Sequence, residues 1–197
     1  MKKDYIYKVC RSSDDVYKFF SNEKVAGYYC NIQNDYFRND HYFYVERYNG
    51  SDASYYAPAE EIVEEYDKND DKNRYIEALE LSINEIKTNS RKFTVYFGYV
   101  YKVDLSMQDF EDVLLEDNYK DYMIEPDGDY KGPDGKWLKS RELTEEDLPV
   151  LRDSYENIKN ILKDMENKLD KCKADLAEDI EKENKVESKQ ENEEEIM

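Results

Sequence analysis

The chain has one histidine, His41, and three cysteines, Cys10, Cys30 and Cys172, set far apart and without a CxxC pair. That leaves no ligand set for a structural zinc and no disulfide framework, and it gives a nucleophile almost no imidazole to pair with. Glycine and proline are scarce, at six and four residues. None of the glycines falls in a Walker, GxGxxG or GxSxG pattern, so the phosphate loops and nucleophile elbows of common enzyme folds are missing. No apolar run approaches the length of a membrane span, and the opening MKKDYIYKVCRSSDD carries charges where a secretion signal would hold its apolar stretch. The expectation is a cytoplasmic protein, in its own cell or a host's, that crosses no membrane, uses no cofactor and is not an enzyme.

Positive charge is short as well: 29 Lys and Arg stand against 48 Asp and Glu, for a net charge of -19. Phosphate backbones and anionic lipids would repel such a chain, so direct nucleic-acid binding is not expected. What is present can still build a core, because 39% of the 197 residues are hydrophobic and 14% aromatic. The twenty tyrosines accompany a general richness in Asn, Lys, Ile, Asp and Glu, as an AT-rich coding sequence would produce. Tyr42, Tyr44, Tyr55 and Tyr56 nonetheless suggest an aromatic contact patch.

Along the chain, Tyr5 to Cys10 reads as a strand, after which Ser12 or Ser13 caps an amphipathic helix with Val16, Phe19, Phe20 and Val25. HYFYVERY, Asn49-Gly50 and ASYYA read as a hairpin. Pro58 then opens a helix over AEEIVEEY, and Ile76, Leu79, Ile83 and Ile86 mark a second one. Arg91 to Leu105 sets Phe93, Val95, Phe97, Tyr99, Tyr101 and Val103 on one face and predicts a central strand. Ser106 with Asp109 three residues later forms a capping pattern for a helix over the following residues, and PDGDYKGPDGKW is a turn-rich loop or small hairpin.

From Thr144, Leu148, Leu151, Tyr155, Ile158, Leu162, Met165, Leu169, Cys172 and Leu176 alternate in steps of three and four. This heptad seam predicts a helix to about Lys182, roughly 55 Å long, with a homodimer as its expected use. The remaining residues are almost without apolar content and read as a disordered acidic tail. The expected organisation is therefore an α+β domain over 1–143, with a mixed or antiparallel sheet, a long heptad helix over 144–182 and a tail over 183–197.

Three sites of chemistry deserve weighing. Asp127, Asp129 and Asp134 sit among glycines, but a calcium loop begun at Asp127 would need an oxygen ligand at Lys131 and a glutamate at Leu138. Pro126-Asp127 followed by Asp134-Gly135-Lys136 resembles the PD...(D/E)xK spacing of metal-dependent nucleases, yet the halves lie too close together and within a turn-rich segment. An unrecognised metal-dependent hydrolase or nuclease is the third choice on that basis. The stronger signal is clustering of charge: residues 59 to 71 hold seven acids and one lysine, 104 to 129 ten and one, and 178 to 197 nine and three.

Such clustering points to a surface that meets a basic protein. The candidate contact residues are Glu60, Glu61, Glu64 and Glu65 on one expected helix, and Asp109, Glu111, Asp112, Glu116, Asp117 and Asp121 on and after another. The expected function is a non-enzymatic inhibitor of the kind encoded by bacterial viruses, an anti-CRISPR or anti-restriction class of nucleic-acid mimic that occupies the groove of a basic nucleic-acid-binding partner. This rests on analogy of type alone. A self-associating coiled-coil adaptor is the second choice.

Overall fold

The computed structural model describes residues 5–11, 16–37, 42–49, 60–62, 71–98, 100–116 and 118–194, with only the backbone of 16, 48, 49, 60–62, 183 and 186–194. It is an α+β protein of antiparallel sheets and packed helices, ending in a long helix. The chain divides into two compact units, 1–82 with 165–197, and 83–164.

The first unit holds a sheet in the order β2-β1-β3-β4, formed by β1 (Tyr5–Arg11), β2 (Val16–Phe20), β3 (Phe43–Asn49) and β4 (Glu60–Ile62). Its helix α1 (Glu23–Phe37) buries Val25, Tyr28, Tyr29 and Ile32, with the Tyr29 ring 5.1 Å from that of Phe20. Buried side chains on the sheet include Tyr7, Val9, Phe20, Phe43 and Val45, and Val9 pairs with Val45 in register. Asn34 pins α1 to the start of β3 by donating to the Phe43 carbonyl at 2.9 Å and accepting its N–H at 2.8 Å. Helix α2 (Lys72–Lys87) runs from this unit into the second, and its predicted stripe of Ile76, Leu79, Ile83 and Ile86 is buried. Gln33 of α1 donates to Ser82 of α2 at 3.2 Å, which satisfies two buried polar groups at once.

Parts of two expected helices are strands. Val16 to Phe20 pairs with β1, and α1 begins only after Asn22, whose side chain accepts the Val25 N–H at 3.1 Å. The run VYKFF is β-branched and aromatic, a composition that fits a pleated surface better than a helix. Glu60 to Ile62 pairs with β3, placing Glu60 opposite Arg47 and Glu61 opposite Glu46. Here sheet completion overrides the helical propensity of Ala-Glu-Glu. Ser12, Ser13, His41, the ASYYA half of the hairpin, Tyr55, Tyr56, Glu64 and Glu65 lie outside the described residues.

The second unit holds a sheet in the order β5-β6-β7-β8, from β5 (Phe93–Phe97), β6 (Tyr101–Leu105), β7 (Met123–Pro126) and β8 (Arg141–Glu142). The predicted single central strand is thus a hairpin, turning at Gly98 with a φ of 64°. The alternation ran on because Phe97 pairs with Tyr101 and Val95 with Val103. A turn that joins two odd-numbered positions leaves the period of two undisturbed. Helix α3 (Met107–Leu115) lays Phe110 and Val113 into the core.

Helix α4 runs from Leu148 to Glu194, beyond the predicted end and through the segment expected to be disordered. Low apolar content removes a buried face, but Glu, Lys and Gln keep high intrinsic helix propensity. Pairs such as Lys185 with Glu181, at 2.7 Å, add to it. Among the described residues no helix is long and apolar enough to cross a membrane.

Candidate functional site

The acidic stretch after β6 begins with the predicted cap. Ser106 has extended backbone geometry and its hydroxyl accepts the Asp109 N–H at 3.2 Å, while Asp109 accepts the Ser106 N–H at 2.8 Å. Tyr122 donates to Asp109 at 3.3 Å and to Asp112 at 3.5 Å. Asp112 also accepts from Gln108 at 2.9 Å. Tyr155 of α4 donates to Glu111 at 3.1 Å, its ring centroid 5.8 Å from that of Phe110. Tyr119, in a short 3-10 turn, likewise donates to Glu145 at 3.2 Å.

A chain short of Lys and Arg therefore uses tyrosine hydroxyls to satisfy half-buried carboxylates. Burial and the charges of Asp109 and Asp112 push the Tyr122 hydroxyl up to about 12. Burial and then the hydrogen bond to Glu111 raise that of Tyr155. For Asp109, burial pulls the carboxyl upward, but the bonds from Ser106 and Tyr122 outweigh it and hold it below the usual range.

The predicted contact residues separate accordingly. Asp109, Glu111 and Asp112 are half-buried and engaged within the fold, so they are structural groups more than an outward row. Glu116 and Asp121 are exposed, and the Asp117 side chain is outside the described residues. Glu60 and Glu61 lie on β4, not on the expected helix, and Glu64 and Glu65 lie outside the described residues. Sequence reasoning missed Asp104, Glu125 and Asp129 as exposed members of the same block. It also missed the aromatic pair Tyr130 and Trp137 beside them, although a tryptophan inside a polar, turn-rich segment is itself a signal.

Two of the three candidate metal residues are otherwise employed, and Asp129 is exposed. Asp127 pairs with Lys102 at 2.6 Å. Asp134 accepts the Lys136 N–H at 3.1 Å inside the loop. Among the described residues no three His, Cys, Asp or Glu side chains group as a metal would require. Cys10 and Cys30 are buried, and burial, with the nearby Cys10, pushes the Cys30 thiol up to about 12. Thiols held so high are poor nucleophiles.

The heptad seam is covered in large part by the chain itself. Leu151, Ile158 and Met165 are buried, while Leu148, Tyr155, Leu162, Leu169, Cys172 and Leu176 are half-buried. In the first unit, Lys72 pairs with Asp179 at 2.5 Å and Glu80 with Lys173 at 2.7 Å, so α2 and the later part of α4 run antiparallel. Lys168 donates to Tyr36 of α1 at 2.6 Å.

No protein-family model, no curated protein and no solved structure matches this chain.

Proposed function

We propose that this protein is a non-enzymatic binding protein whose acidic face competes with nucleic acid for a basic protein partner. The observation that carries the reading is the stretch from Asp104 to Asp129, where ten acids accompany one lysine and where Asp104, Glu116, Asp121, Glu125 and Asp129 are exposed within one compact unit. Clustered carboxylates on a folded scaffold imitate a phosphate row, speed encounter with Lys and Arg, and repel nucleic acid itself. The nearest functional type is the small acidic inhibitor with which bacterial viruses block restriction or CRISPR machinery. The coiled-coil adaptor reading is weaker, because the seam it needs is largely spent on the chain's own helices.

The test is capture of partners from a lysate at low and high salt, followed by competition with DNA and RNA, using the parent chain and a D104N/E116Q/D121N variant. We expect a basic nucleic-acid-binding protein that elutes with salt, is displaced by nucleic acid and is held less well by the variant, whose circular dichroism stays that of the parent. Binding indifferent to salt, or a captured protein that still holds its nucleic acid in the complex, would refute the proposal.

A further inference from the structure

The only tryptophan of the chain stands open to water at the loop that follows β7. Trp137 is 59% exposed and Tyr130 is 43% exposed. Together with Glu125 and Asp129 they line a solvent-open cavity of about 420 Å³, a size at the lower end of ligand sites. The loop is held as a small hairpin, with a bridge between Lys131 and Trp137. Gly132 donates to the Lys136 carbonyl and Leu138 to the Tyr130 carbonyl, both at 2.8 Å. Gly128, with a φ of 119°, lets the Tyr130 ring lie close to the backbone, since a Cβ there would stand 3.3 Å from the ring. The aromatic surfaces are thus presented on a hydrogen-bonded frame, which lowers the ordering cost of using them.

A cation already occupies one of those faces. The ammonium of Lys131 lies 4.7 Å from the centroid of the Trp137 ring, within the range of a cation–π contact. We propose that the cavity receives an arginine side chain of a basic partner protein, its guanidinium stacking on Trp137 in place of the Lys131 ammonium and pairing with Glu125 and Asp129. Arginine suits the site better than lysine because its planar, weakly hydrated head stacks on rings and pairs with carboxylates side by side. The occupant is a protein side chain because Glu125 and Asp129 of the cavity belong to the acidic stretch of the proposed function, on which this inference rests. Lys131 acts as a resident competitor that the arginine displaces from one face of the ring.

Because Trp137 is the sole tryptophan, its fluorescence reports occupancy directly. The experiment titrates the full chain with a short arginine-rich peptide and a lysine-rich peptide of equal length and charge. Trp137 emission is followed, and a fluorophore on the peptide reports binding independently. We expect a saturable change in Trp137 emission and tighter binding of the arginine peptide, weakened about fivefold in E125Q/D129N. K131M should bind the arginine peptide about two- to fivefold more tightly than K136M, which makes the same change in net charge at a lysine that pairs with Asp134 at 3.5 Å. Peptide binding that leaves Trp137 emission unchanged, or K131M and K136M behaving alike, would overturn the site while leaving the wider acidic-face reading intact. Failure of any basic peptide to bind also overturns the site, and the salt and competition test above then decides the wider reading separately.

Discussion

Replacing Asp147 by asparagine should remove one of the best-connected carboxylates in the second unit. Asp147 accepts the two guanidinium nitrogens of Arg141 at 2.7 and 2.9 Å, and the N–H and hydroxyl of Thr144 at 2.9 Å each. Its side chain is 9% exposed, that of Arg141 38%. The Arg141 guanidinium is the main cause that draws the carboxyl down to about 2 from its ordinary 3.8. At about 1.4 kcal/mol per unit that shift corresponds to roughly 2.5 kcal/mol. Water at the half-open Arg141 screens part of it, which leaves about 2 kcal/mol. Asparagine keeps the shape and can still cap Thr144, so the loss isolates the charged pair.

The pH dependence follows from the direction of the shift. A carboxyl that titrates lower in the folded chain than in the unfolded one stabilises fully above the unfolded value of 3.8 and ceases to do so as pH falls through about 2. Urea unfolding of the parent and Asp147→Asn should therefore differ by about 2 kcal/mol at neutral pH and converge in strong acid. Arg141→Met should cost a similar amount, and the double variant little more than either single one, because both remove the same pair. A neutral-pH difference below about 0.5 kcal/mol, or one that persists unchanged into acid, would refute the reasoning.

Met165 is fully buried although it lies on the predicted dimer seam, so Met165→Asp should abolish cooperative melting of a parent that already sediments as a monomer. A parent dimer that the substitution converts into a folded monomer would show that the seam serves a second copy. Cys172 is half-buried while Cys10 and Cys30 are buried, and burial raises both buried thiols. Maleimide labelling at mildly alkaline pH, read by mass spectrometry, should modify Cys172 first and Cys30 last, and early modification of Cys30 would contradict the packing around α1.

Features that depend on near neighbours were legible in the order of the residues. The Ser106 cap needs only Asp109 three residues on, the α2 stripe needs only apolar residues on one helical face, and the long α4 needs only an unbroken run of good helix formers. Charge clustering was also plain from the order of the residues. Tertiary structure decided everything that required a choice between distant partners. VYKFF and Glu60–Ile62 became strands because β1 and β3 had open edges to pair with, and the Phe93–Leu105 alternation folded back on itself at a position that parity conceals. The heptad stripe announced an apolar face but not that the chain itself would bury Leu151, Ile158 and Met165. Whether an acid faces water or a tyrosine was equally invisible, since Tyr122 and Tyr155 reach Asp109, Asp112 and Glu111 only after the chain has closed. A local pattern states which side of an element avoids water; what covers that side is settled by which long-range contacts repay the entropy of bringing distant segments together.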